Sequence, residues 1–259
     1  MNVDQSQRSR VDVVDLARPF TQGRLRLYLT IASIQGLVTL ICAVGVSTGV
    51  LPAARSLDVV ANVFNVLAMV LLPALVVALV ADPVRRGAEL ILVWLPFTAM
   101  AQLTFELAWV IGQPLDWWKA EGDPGGTWMW WQFAQTDTRY FGDNPAIFAL
   151  ELTAVVAAIP VLLAFRQLIR VDLTDRARVK ALFMAGAGLA VLTSNTLFYF
   201  ASLARDGFDA IGQGDYGMVK MIALNVPYLI VPVFVLIAIG RQIDWLYQRA
   251  AADLSGEVQ

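Results

Sequence analysis

From Leu27 to Ile239 the chain is written as long apolar runs separated by short polar breaks. Six runs stand out: Leu27–Leu51, Asp58–Val80, Ala88–Ile111, Ala146–Leu168, Ala181–Leu203 and Val219–Ile239. Each reaches the ~20 residues that a helix needs to cross the hydrocarbon core of a bilayer. In lipid every backbone N–H and C=O must be satisfied internally, which leaves helices and closed barrels, and runs of this length fit helices. The pattern predicts an all-α integral membrane protein built as a six-helix transmembrane bundle. Pro73, Pro160, Pro227 and Pro232 fall inside the runs, where proline often marks a kink beside a cavity. The chain shows no internal repeat and no low-complexity tract.

The polar breaks carry the orientation. Arg8, Arg10, Arg18, Arg24, Arg26, Arg85, Arg86, Arg166, Arg170, Arg176, Arg178, Lys180, Arg241 and Arg249 flank one side, and only Arg55, Lys119, Arg139, Arg205 and Lys220 flank the other. That is 14 basic residues against 5, alternating through all the runs, so both termini are expected in the cytoplasm. The chain then divides into a cytoplasmic segment 1–26, two transmembrane helices within 27–82, four helices within 83–240 and a cytoplasmic tail 241–259. One long loop, 112–145, faces the opposite side. The first 26 residues are polar and mixed in charge, unlike a secretory signal, so the first run is expected to stay in the mature protein.

Composition agrees and removes several chemistries. The chain is 58% hydrophobic and 15% charged, against about half and a quarter in soluble domains. A net charge of -2 offers no footing for nucleic acid. Cys42 stands alone, so no intrachain disulfide forms. The absence of histidine excludes a His-ligated metal, a Ser/His pair and any imidazole proton transfer, and no metal or cofactor is expected. Arginine far outnumbers lysine, as in GC-rich bacterial genomes. The multi-pass chain is expected in the plasma membrane if bacterial and in the endoplasmic reticulum if eukaryotic.

The candidate chemistry lies in carboxylates placed where they are expensive. Charged side chains inside a membrane face a bundle interior or a cavity. Glu106 sits near the loop end of the third run, and Glu151 about two turns into the fourth. Gln102 is one turn before Glu106 on the same helix face, and Trp109 follows at i+3. A carboxyl group out of water favours its neutral, proton-donating form. One intramembrane amide reads as glue between helices, whereas two glutamates on neighbouring spans read as a reacting pair. Glu89, beside Arg86, is expected as an anchor at the membrane edge. Asn195, Tyr199, Asn225 and Tyr228 are further polar positions, with Asn195 the one best suited to packing glue. The tryptophans of DWWKAEGDPGGTWMWWQF suit an interfacial belt, with a lid over a lipid-like substrate as the alternative.

Three blocks carry a resemblance. DTRYFGDNPAIFALE (137–151) resembles the acidic-x-Arg-Tyr, Gly-Asp-Asn and helix-entering glutamate of the emopamil-binding protein family, the membrane sterol Δ8–Δ7 isomerases of the EXPERA group. LFYFASLARDGFDAIGQGDYG and NVPYLIVPVFVL resemble two later blocks of that family, and the likeness covers about 85–239. The family core has five spans, so the first span here resembles an N-terminal addition. The resemblance implies a buried cavity in which Glu106, Glu151 and Asn225 match intramembrane site positions. It also implies a loop motif made by Asp137, Arg139, Tyr140 and Asp143, with Arg205 and Asp206 in the second block. For Asp137 and Arg139 a structural ion pair and turn is the favoured reading. Two positions depart from the family: Gln102 stands where the sterol isomerases have histidine, and Tyr228 where they have tryptophan.

The expectation that follows is a membrane isomerase acting on a sterol-like or terpenoid lipid. Glu106 would protonate an alkene or epoxide, Glu151 would act as base or counter-ion, and Gln102 would orient the pair, although the two glutamates could exchange roles. Trp109, Tyr140, Asn195, Tyr199, Asn225 and Tyr228 would contact the substrate. A proton-initiated terpenoid or meroterpenoid cyclase, and a non-catalytic sterol binder of the sigma-2 receptor type, use the same residues. The expected partners are the hydrophobic substrate and membrane lipid, without nucleic acid, and a homodimer is compatible with this reading.

Overall fold

The computed structural model describes residues 15–115, 117, 127–142 and 144–255. Among these residues the protein is all-helical, and six helices are long and apolar enough to span a membrane. They are α1 (Gln22–Ser47), α2 (Arg55–Leu79), a third span that begins with α3 (Pro83–Ala101), then α6 (Pro145–Leu168), α7 (Asp175–Arg205) and α8 (Asp215–Ser255). The third span continues through a π-helical turn at Gln102–Glu106 and α4 (Leu107–Gly112). The loop that follows contains a short helix, α5 (Trp128–Ala134), and a 3-10 turn at Thr138–Phe141.

Helix ends explain where the apolar runs understate the spans. Thr21, Asp82, Asn144 and Thr174 each cap a helix N-terminus with the side-chain oxygen, and Pro83 and Pro145 take the first helical position. The charged first turns of α7 are therefore helical although hydropathy omits them. At its far end α8 runs on through 241–255, where Leu246 is buried and Ile243 and Trp245 pack on the core, so the segment expected as a tail extends the last span.

The bundle is filled in two layers. In the half away from the loop, Leu90, Ile91, Trp94, Val161, Leu182 and Leu189 form a continuous apolar core. Here α6 lies close along α7: a Cβ on Gly188 would stand 2.6 Å from Val161 Cγ2 and 2.9 Å from the Ala157 carbonyl. Small residues at such a crossing let helix backbones approach closely in lipid, where packing replaces the hydrophobic effect between helices. Glu89 departs from its expectation as an edge anchor. It is fully buried, bonded to Arg24 at 2.6 Å and to the Tyr28 hydroxyl at 3.1 Å, and so pins α1 to α3. Arg86 turns away to the Val80 and Ala81 carbonyls. In the half nearest the loop the filling is polar, and a cavity opens there.

Candidate functional site

The cavity has a volume of about 260 Å³, and all six spanning helices contribute to its wall. This is just below the ~300–1,000 Å³ typical of pockets that enclose a drug-sized ligand. Its acidic wall is built by α3 and α6. The π turn holds Gln102 and Glu106 in the lining, and Glu151, 7% exposed, meets Glu106 from α6. The two carboxyl groups interact through a side-chain hydrogen bond.

A third group meets Glu151. The Tyr140 hydroxyl donates a short hydrogen bond to Glu151 Oε1. Burial first, and then the negative charge of Glu151, raise the Tyr140 pKa, so the phenol stays protonated and remains a donor. Tyr140 thus serves Glu151 and leaves Glu106 without that donor.

Tyr140 owes its position to the loop motif. Asp137, fully buried, accepts from Arg139 at 2.7 Å and from the Tyr199 hydroxyl at 2.7 Å. Arg139 also donates to Ser202 at 2.9 Å and reaches Asp206 at 3.4 Å. Burial works against the Arg139 charge, but the hydrogen bond and charge of Asp137 outweigh it and raise its pKa. Backbone bonds from Thr138 to Ala210 and from Gly212 to Thr136, both 2.9 Å, sew the turn to the α7–α8 connection. The motif is therefore a structural clasp that aims Tyr140. Gly207 at φ 67° supplies the left-handed step that this connection needs. Arg205 is exposed at the end of α7, and Asp143 lies outside the described residues.

The loop helix closes the cavity. The Trp130 indole N–H donates to the Phe105 carbonyl at 2.9 Å and its ring stacks on Phe105 at 5.4 Å, pinning the π turn. Such wide turns recur at functional sites because they redirect side chains within a helix. Trp128, Met129 and Phe133 line the cavity, whereas Trp117 is exposed. This half of the tryptophan-rich loop is an aromatic cover over the cavity, which favours the alternative to an interfacial belt.

The other expected positions divide. Tyr199, Asn195, Asn225 and Tyr228 line the cavity together with the acid pair. Tyr228 is close enough to Glu106 for their charges to interact, and its ring packs against Trp94 at 5.7 Å. Asn195 donates to the Leu150 carbonyl of α6 at 2.9 Å, and Asn225 to the Met221 carbonyl of its own helix at 2.9 Å. Trp109 does not line the cavity. Three residues past Glu106 it is turned about 60° from it, and it packs edge-on against Tyr140 at 5.2 Å and beside Phe148 at 6.2 Å.

The sequence reading missed the opposite wall. Asp58 and Lys220, 6% and 4% exposed, form an ion pair of 2.8 Å in the cavity lining. Asp58 also accepts from the Tyr216 hydroxyl at 2.6 Å and from the Asn62 amide at 2.9 Å. A signal was present: Asp58, Asn62 and Asn65 fall at i, i+4 and i+7 of the second run, a polar stripe on one helix face. No family model, no curated protein and no solved structure matches the chain.

Proposed function

We propose that the protein is a membrane-embedded isomerase that moves a double bond in a sterol-like or terpenoid lipid. The observation that carries this reading is a hydrogen-bonded carboxyl pair, Glu106 and Glu151, in the wall of an intramembrane cavity. Glu106 gives its proton to an alkene carbon, and the C=C electron pair forms the new C–H bond. The adjacent carbon becomes a cation beside two carboxylates, whose charges offset it in a water-poor site. A carboxylate then takes a proton from a neighbouring carbon and the double bond re-forms one position over, so the protein returns to its starting state. Tyr140 donates to Glu151, Gln102 shares the Glu106 face without carrying a proton, and Tyr228 offers a ring face to the cation.

The likeness to the emopamil-binding protein family supports the same chemistry through Glu106, Glu151, Asn225 and the clasp motif. The charge pattern supports cytoplasmic termini. Of the five basic residues on the loop side, Lys220 and Arg139 are neutralised by Asp58 and Asp137, as Arg24 is by Glu89 on the other side. Reaction in deuterated water over a panel of sterols and prenylated polycyclic lipids tests the reading. An isomeric product with one new deuterium is expected. Ring closure with deuterium uptake would make the protein a cyclase, and tight binding of a sterol-like amine with no uptake would make it a binder.

A further inference from the structure

Lys220 and Trp128 stand on the wall away from the acid pair, and each has a hydrogen-bond donor to spare. The Lys220 ammonium has three N–H groups, and two are used, toward Asp58 at 2.8 Å and the Gln132 carbonyl at 3.0 Å. Trp128 is 1% exposed and lines the cavity, yet its indole N–H has no hydrogen-bond partner among the described residues. The two groups are neighbours: Gln132, which binds Lys220, is one helical turn after Trp128 on the same face of α5. A buried donor without an acceptor is costly, and a ligand oxygen removes that cost.

The Asp58 oxygens are already occupied. Asp58 Oδ2 takes Lys220 and Tyr216, and its Oδ1 takes Asn62. The wall therefore offers two open donors, with the buried Gln132 Oε1 as an open acceptor beside them, and Asp58 cancels the Lys220 charge. Arg55 lies over the Tyr216 ring at 4.9 Å but is itself exposed, where solvent screens it. A neutral oxygen fits this arrangement better than a carboxylate or phosphate.

We infer that Trp128 and Lys220 form a head-group subsite that grips a neutral oxygen, carbonyl or hydroxyl, at the polar end of the substrate, leaving its hydrocarbon part to reach Glu106. The substrate class narrows to an uncharged oxygenated lipid whose alkene lies at the far end of the cavity. The inference rests on the proposed function only in taking this cavity as the substrate site.

The test is equilibrium binding to the full chain in nanodiscs, with three inert probes of one skeleton: androstanone, the corresponding alcohol androstanol and the hydrocarbon androstane. The wild type is expected to bind the ketone at least about tenfold more tightly than the hydrocarbon, with the alcohol also above the hydrocarbon. Trp128→Phe removes the N–H while keeping an aromatic ring, and should erase most of that preference. Comparing probes within one variant cancels any general loss of packing, and Lys220→Met should act in the same direction if it folds. Wild-type protein that does not bind the ketone, or shows no preference for it, overturns the inference. So does an unchanged preference in Trp128→Phe. Glu106→Gln should keep the ketone preference, so failure of the proton chemistry shows in turnover alone and failure of the subsite in binding alone.

Discussion

At one side of the cavity a carboxylate meets an ammonium; at the other a carboxyl meets a carboxyl. The Asp58–Lys220 pair is complete in itself, with opposite charges 2.8 Å apart and the carboxylate further bonded to Tyr216 and Asn62. The Glu106–Glu151 pair has no such partner. The charge acting on Glu106 is that of another glutamate, and the one further donor, Tyr140, serves Glu151. Both clusters cost desolvation energy. The first recovers it through attraction and leaves nothing to transfer. The second has no opposite charge to offset its cost, which is why the proposed chemistry is placed there and not at the first.

The sharpest way to break the comparison is to remove the proton that Glu106 is proposed to give. Glu106→Gln retains an amide donor for Glu151 but cannot release a proton, so turnover should fall about 10³-fold, within the usual range for a general acid. The thermal unfolding midpoint should stay close to the wild type. Full activity in this variant would remove Glu106 from the chemistry. The matching change on the other wall acts on stability instead. Lys220→Met leaves Asp58 buried without its cation and should cost about 3–5 kcal/mol, read by denaturant unfolding in detergent. A double variant, Asp58→Leu with Lys220→Met, should recover most of that loss. If the single variant is as stable as the wild type, the pair is not the compensated unit described here.

The two clusters also differed in how far the sequence disclosed them. Glu106 and Glu151 were legible because each interrupts an apolar run and its cost there demands a reason. Asp58 and Lys220 lie near the first turns of α2 and α8, where charges read as span edges, and 162 positions separate them. Their pairing depends on how helices pack, which hydropathy does not encode. Glu89 failed for the same reason, since its partner is Arg24 of the first span, 65 positions away, rather than Arg86 beside it. The spans themselves were legible to within a few residues, apart from the continuation of α8. The π turn was not, because local sequence does not mark where one extra residue enters a helical turn.

Smaller changes grade the acid pair's surroundings. Tyr140→Phe deletes the hydroxyl that donates to Glu151 while leaving both carboxyls in place, so turnover should fall about tenfold, with the loss in kcat. A loss confined to KM would make Tyr140 a substrate contact instead.

The smallest expected effect belongs to Asn195, which lines the cavity beside the pair yet commits its amide to the Leu150 carbonyl of α6 at 2.9 Å. That carbonyl lies inside α6, where the helix ladder already supplies it with a donor, so losing the amide strands no buried acceptor. Hydrogen bonds between membrane helices average about 0.6 kcal/mol in such measurements, and Asn195→Ala should lower stability by about that much with kcat unchanged. A tenfold fall in kcat with unaltered stability would reverse the assignment. Asn195 would then act on the proton or the cation, and the reacting wall would extend from α3 and α6 to α7.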